Sequence, residues 1–165
     1  MKKIEFKNNS EPYISAENLN TLQNNIEDAI NDKNIITASF NTNHTIATEE
    51  IENIKLDTKV SIGDKLTLNS EGKIVIGSDV KIIKISTNVN FQTVTSGLKQ
   101  LIIYKNDSAI AQNVTQISDR TTLSIASMIY EVTKDDVIYL GIKGAVNDVI
   151  RRNMAHSNIT VEVVK

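Results

Sequence analysis

The chain contains two imidazoles, His44 and His156, and they lie far apart in sequence. His44 sits in Asn43-His44-Thr45, read as a loop. His156 sits in Met154-Ala155-His156-Ser157, just before the last expected strand. Ser118, Asp119 and Ser157 would complete the residue types of a Ser-His-Asp hydrolase. Such a site needs its serine on a sharp elbow, and no Gly-x-Ser-x-Gly occurs. The carboxylates cluster at Glu49, Glu50 and Glu52 and again at Asp135 and Asp136. Paired carboxylates serve glycoside hydrolysis. Adjacent residues on a strand point to opposite faces, however, and Asp135-Asp136 reads as a turn. The alternating Asp spacing of a calcium loop is absent, as is a glycine-rich phosphate loop. Without Cys there is neither a thiolate metal site nor a disulfide framework. Arg151-Arg152 is the one basic doublet. It suits surface or subunit salt bridges, or an anionic ligand. Sugar sites usually stack rings on aromatics, and here there are 4 Tyr, 3 Phe and no Trp. The expectation is a protein that is not an enzyme, with no catalytic, cofactor or metal residues.

The elements that carry these residues follow from periodicity. The 165 residues fit one domain with a short appendage. At 40% hydrophobic they can build one core. The net charge of -2 and pI of about 5.7 argue against a basic nucleic-acid surface. No apolar run is long enough to cross a bilayer. No apolar segment follows Lys2-Lys3, so a secretory leader is not expected.

Pro12, the only proline, marks a lead-in. Ser15 is a good N-cap and Glu17 complements the helix dipole. A helix is expected over 15–33. Its apolar positions Leu19, Leu22, Ile26, Ala29 and Ile30 follow 3-4-3 spacing, the seam of a self-associating bundle. A helix this short is marginal alone, so it needs a packing partner.

From Ile35 onward the pattern is strands at 35–40, 53–56, 65–69, 73–76, 80–91, 98–105, 108–114, 121–132, 136–143 and 158–164, with 146–152 ambiguous. Turns are cued at Gly63-Asp64, Asn69-Ser70-Glu71-Gly72, Gly77-Ser78-Asp79, Ser96-Gly97, Asn106-Asp107 and Lys134-Asp135-Asp136. Short strands with such turns indicate an antiparallel sandwich or barrel. Ile83, Ile85, Thr87, Val89 and Phe91 share one face of a half-buried strand. Three strands are instead apolar on both faces and need cover beyond a two-layer core. Their residues Ile102, Tyr104, Met128, Tyr130, Val137 and Tyr139 are the candidate subunit interface. The competing reading is that the helix or a loop provides the cover.

Two stretches carry family resemblances. Pro12-Tyr13-Ile14-Ser15-Ala16-Glu17-Asn18-Leu19-Asn20, continued by Thr21 to Ile30, resembles a segment near the start of tail-fibre and baseplate proteins of phages and prophages of Gram-positive bacteria. Three groups over roughly 40–165 resemble the C1q/TNF-like jelly roll. They are Leu66 to Ile76, Leu101-Ile102-Ile103-Tyr104-Lys105-Asn106-Asp107, and Val132-Thr133-Lys134-Asp135-Asp136-Val137-Ile138-Tyr139-Leu140. Asp107 and Asp135 stand where that family commonly has Gly. The resemblance implies a mainly β, antiparallel jelly-roll head that forms a homotrimer, preceded by one short helix.

The expected organisation is an attachment segment and oligomerisation helix over 1–36 and a head over 37–165. The expected function is a non-enzymatic structural protein of a phage or phage-like particle, a fibre tip or knob that contacts the host surface. The alternatives are a baseplate, collar or capsid-decoration protein, or a bacterial C1q/TNF-like surface protein. The implied partners are the chain itself, other virion proteins through the N-terminus, and a cell-surface glycan, with no nucleic acid and no membrane insertion. The implied location is the virion, after synthesis in the bacterial cytoplasm without a signal peptide.

Overall fold

The structure, a computed structural model, describes residues 15–31 and 33–165, with 28–31 described by their backbone alone. The chain divides between Lys33 and Asn34 into two units.

The first unit holds α1, Ala16–Asn31. Ser15 caps it: its Oγ accepts the Asn18 N–H at 3.1 Å and its carbonyl accepts the Leu19 N–H at 3.1 Å. The first bond satisfies an amide that has no partner within the helix, and the second is the first backbone bond of the helix itself. Leu22 and Ile26, two of the expected seam positions, are 55% and 47% exposed, and Leu19 is half-buried. The side chains of Ala29 and Ile30 lie outside the described residues.

The second unit is a sandwich of thirteen strands. In chain order they are β1 (Ile35–Ser39), β2 (His44–Thr45), β3 (Glu52–Ile54), β4 (Thr58–Ile62), β5 (Leu66–Leu68), β6 (Ile74–Ile76), β7 (Ile82–Thr93), β8 (Gly97–Lys105), β9 (Ser108–Ile117), β10 (Thr121–Glu131), β11 (Val137–Lys143), β12 (Val149–Ile150) and β13 (Asn158–Val163). The first sheet runs β2-β12-β7-β13-β1-β4, with β10 also on β7; the second runs β5-β6-β11-β8-β9, with β3 also on β11. All the pairs are antiparallel. The chain is therefore mainly β and a jelly-roll sandwich, as its pattern and the resemblance implied.

Alternation builds the core. Ile83, Ile85, Val89 and Phe91 on β7 face Leu101 and Ile103 on β8 and Ile138, Leu140 and Ile142 on β11, all fully buried. A bulge sets the register of β10 on β7, between Ile125 and Met128. The extra residue restores parity, so Met128 and Tyr130 pack against the core while Ile129 faces solvent. That is how one apolar run of β10 comes to serve both faces.

Three strands differ from expectation. His44 and Thr45 form β2 rather than a loop, β4 was not foreseen, and the ambiguous 146–152 contributes β12. The two-residue strands are too short to show a period. β4 is an edge strand whose Val60 and Ile62 point outward, so it lacks the buried face that makes a strand legible.

Candidate functional site

The six expected interface residues do not share one surface. Met128 and Tyr130 lie on β10 in the first sheet; Ile102, Tyr104, Val137 and Tyr139 lie on β8 and β11 in the second. In the second sheet Ile102 and Tyr139 are already buried within the chain. Tyr104 and Tyr139 are register partners and stack at 5.0 Å with 12° between their planes. The Lys73 ammonium sits 4.9 Å from the centre of the Tyr139 ring. Gly141 leaves room for this stack, since a Cβ there would lie 2.6 Å from Tyr104 Cε2 and 3.1 Å from Ile51 Cγ2. The outward face of β8 and β11 around Gly141 is thus occupied by the chain's own tyrosines and by the loop carrying Ile51, while Leu98 at the start of β8 stays exposed.

Tyr139 is anchored at its polar end. Its hydroxyl donates to Asp107 Oδ1 at 2.6 Å. Burial, with that bond to Asp107, pushes the phenol up to about 12. A phenol that keeps its proton longer when folded contributes stability that is complete below its unfolded pKa, about 10. That contribution is lost as pH rises from there through about 12. We expect the wild-type melting temperature to fall across this window by more than that of Tyr139→Phe. Equal slopes for the two proteins would refute the assignment.

Beside it, Asp136 accepts from Thr133 N–H at 2.9 Å, Lys105 Nζ at 3.1 Å and Asn106 Nδ2 at 2.5 Å. Burial works to raise this carboxyl, and those donors outweigh it, so its pKa lies below the usual carboxylate value. With Asp135 at φ 67° and Asn106 and Asp107 at φ 46° and 65°, this is a double turn held by its own side chains.

At the other end of the sandwich lies an ion pair with no precedent in the sequence reading. Lys99 Nζ and Asp148 Oδ2 are 2.6 Å apart, with side chains 1% and 0% exposed. Lys99 also donates to Thr95 O at 2.7 Å; Asp148 accepts the Thr95 and Ala145 amides at 2.6 and 2.8 Å. Burial of two charges is tolerated because each is hydrogen-bonded as well as paired. The detectable signal was Lys99 itself, which shares strand parity with Leu101 and Ile103.

The outward face of the first sheet is a further candidate surface. Opposed residues form rows across it. One row runs Val60, Thr37, Thr160, Ser86; another runs Ile62, Ile35, Glu162, Lys84, Ile129. Its middle is polar and self-satisfied: the Thr37 and Thr160 hydroxyls lie 3.0 Å apart, and Lys84 lies 3.7 Å from Glu162. Its two margins are apolar and exposed, Val60 and Ile62 on β4 and Ile129 on β10.

The residues weighed for catalysis are dispersed. His44 pairs with Glu52 at 3.0 Å. The Ser157 hydroxyl is buried and accepts the Asn90 amide. Arg152 Nη1 donates to the Asn41 carbonyl, and neither Arg151 nor Arg152 forms an ion pair among the described residues. No cluster of metal-ligating side chains occurs among the described residues, and no described helix is long and apolar enough to cross a membrane.

No family model matches the chain, and no curated protein matches it. Solved structures do resemble it. The crystal structure of murine APRIL at pH 5.0 aligns with a TM-score of 0.66 and 8% identity, over 81% of this chain and 100% of that one. Murine APRIL at pH 8.5 gives 0.65 and 9% over the same shares. Eiger TNF from S. frugiperda gives 0.56 and 10%, over 80% of this chain and 94% of that one. At these identities the likeness establishes the fold, a TNF-like jelly roll, and nothing beyond it.

Proposed function

We propose that this chain is a non-enzymatic structural protein of a phage or phage-like particle, a homotrimeric fibre tip whose head contacts the host surface. The observation that carries the reading is a capped amphipathic helix with an exposed apolar seam, at Leu22 and Ile26, joined to a TNF-like jelly-roll head. A helix of this length draws its stability from packing partners, and identical helices supply them. The head adds a surface with two different apolar margins, on β4 and β10. A contact between unlike margins is head-to-tail, and it closes as a three-membered ring when each copy is rotated a third of a turn from the last. Residues 1–14, which include only the first three residues of the stretch that resembles phage fibre proteins, lie outside the described residues; their proposed role is attachment to another virion protein. Three copies on one particle make weak host contacts effective through avidity.

The test is the solution mass by size-exclusion chromatography with light scattering, followed by binding to Gram-positive host cells. The expected mass is three times 18.3 kDa. A monomer would overturn the fibre-tip reading. A trimer with no affinity for cells would favour a baseplate, collar or decoration protein, whose exposed margins bind other virion proteins. Substituting Leu22→Asp together with Ile26→Asp places charges in the seam. We expect the mass to fall towards 18.3 kDa at micromolar protein while the head keeps its β-sheet circular dichroism. An unchanged mass would exclude the helix as an assembly element.

A further inference from the structure

Where β2 and β3 approach each other the head carries a cleft of about 410 Å³. That is within the range of small-ligand sites, about 300–1,000 Å³. One wall is the segment from Phe40 to His44; the other is the segment from Asn53 to Asp57. Phe40 and Ile54, both nearly inaccessible, form its floor.

Both walls are held by bonds that leave polar groups to spare. Asp57 Oδ1 accepts the Asn41 amide at 2.8 Å and the Thr58 hydroxyl at 3.0 Å. Asn43 Oδ1 accepts the Arg152 amide at 2.9 Å. Glu52 Oε1 accepts the amides of Ala47 and Thr48 at 2.7 Å each, and Glu52 Oε2 meets His44 Nε2 at 3.0 Å. Burial works to raise the Glu52 carboxyl, and the Thr48 and Ala47 amides with His44 outweigh it, so it is ionised and fixed. Left without a bond among the described residues are Asn43 Nδ2, the Thr42 hydroxyl, the side-chain carboxamide of Asn53, Lys55 Nζ and Asp57 Oδ2.

This set has a distinct chemistry. Donors and acceptors stand together on walls that rise from Phe40 and Ile54. Lys55 and Asp57 bring opposite charges, and His44 is matched by Glu52. An anion meets Asp57, a cation meets Lys55, and a purely apolar ligand strands every polar group. A hydroxyl both donates and accepts, so a ring of hydroxyls with one C–H face satisfies the whole set. We infer that the cleft between β2 and β3 is a binding site for a neutral saccharide. Because its walls are preformed, little ordering cost is added on binding. The assignment names the ligand class of the host contact and rests on that reading.

The experiment is ¹H–¹⁵N NMR of the full chain titrated with methyl glucoside, methyl galactoside and N-acetylglucosamine, with glycerol phosphate as the anionic comparison. Saturable shifts confined to Thr42, Asn43, His44, Asn53 and Lys55, for at least one sugar, are expected. Asn53→Ala and Lys55→Ala are exposed changes that leave the fold intact. Each should weaken that sugar at least tenfold and leave the shifts of the β7 and β8 amides unaltered. Saturation by glycerol phosphate in place of the sugars would overturn the neutral-saccharide assignment. So would the absence of saturable shifts with all three sugars in a protein that is trimeric and binds cells, which leaves the fibre-tip reading standing. Sugar binding at the cleft by a monomer would support the site while the fibre-tip reading falls.

Discussion

Lys99→Met should cost about 3–5 kcal/mol of stability, because it leaves Asp148 charged, buried and without its cation. For a head of this size that is a drop of roughly 10–20 °C in melting temperature. The loss has a local address as well. Asp148 bonds the Thr95 and Ala145 amides, its carbonyl accepts the Ile46 amide at 2.9 Å, and the Asn147 amide donates to the Ile46 carbonyl at 2.9 Å. Ile46 follows β2, so hydrogen exchange should rise first at residues 44–48 and 144–148. Gly144 belongs to the same arrangement, since a Cβ there would come 2.6 Å from Ile46 Cδ1 and 2.7 Å from Asp148 Oδ2. Asp148→Asn added to Lys99→Met removes the unpaired charge and should recover part of the loss. It cannot recover all of it, because one amide oxygen replaces two carboxylate oxygens facing two N–H groups. A melting temperature for Lys99→Met within a few degrees of wild type would show that the pair contributes little to the fold.

Gly72→Ala should be nearly as damaging, for steric reasons. Gly72 closes the turn between β5 and β6 at φ 79°, a conformation that costs an L-residue roughly 1–2 kcal/mol. A Cβ there would also lie 2.5 Å from Leu56 N and 2.7 Å from Leu56 O. Those are backbone atoms of a buried residue and cannot swing aside, so overpacking adds roughly 1–3 kcal/mol. The expected total is about 2–5 kcal/mol. Gly97→Ala is the comparison: at φ 151° it carries backbone strain of its own, roughly 1–3 kcal/mol, but a Cβ would meet nothing within 4 Å. It should lack the overpacking share of the loss. Urea denaturation of the two variants separates the contributions, and equal midpoints would show that the contact with Leu56 is immaterial. Lys55 and Asp57 flank Leu56, so displacement of that segment should also weaken sugar binding at the cleft.

The sequence alone determined the architecture because its signals are local. The alternation on β7 named its buried face, since a strand has period two and one face is wet. Ser15 and the spacing of Leu19, Leu22 and Ile26 named the capped helix and its apolar positions. Asn69 to Gly72, Asn106-Asp107 and Asp135 named turns through the few residue types that accept positive φ. Tertiary structure alone decided what covers the doubly apolar strands. A run such as Leu101 to Tyr104 states that both faces need cover, and only the pairing of β8 with β11 shows that Tyr139, Gly141 and Ile51 supply it. The same holds for Lys99 and Asp148, and for Thr42 and Asn53 across the cleft. Their meeting depends on long-range strand pairing, and nothing in the chain near either residue encodes its partner.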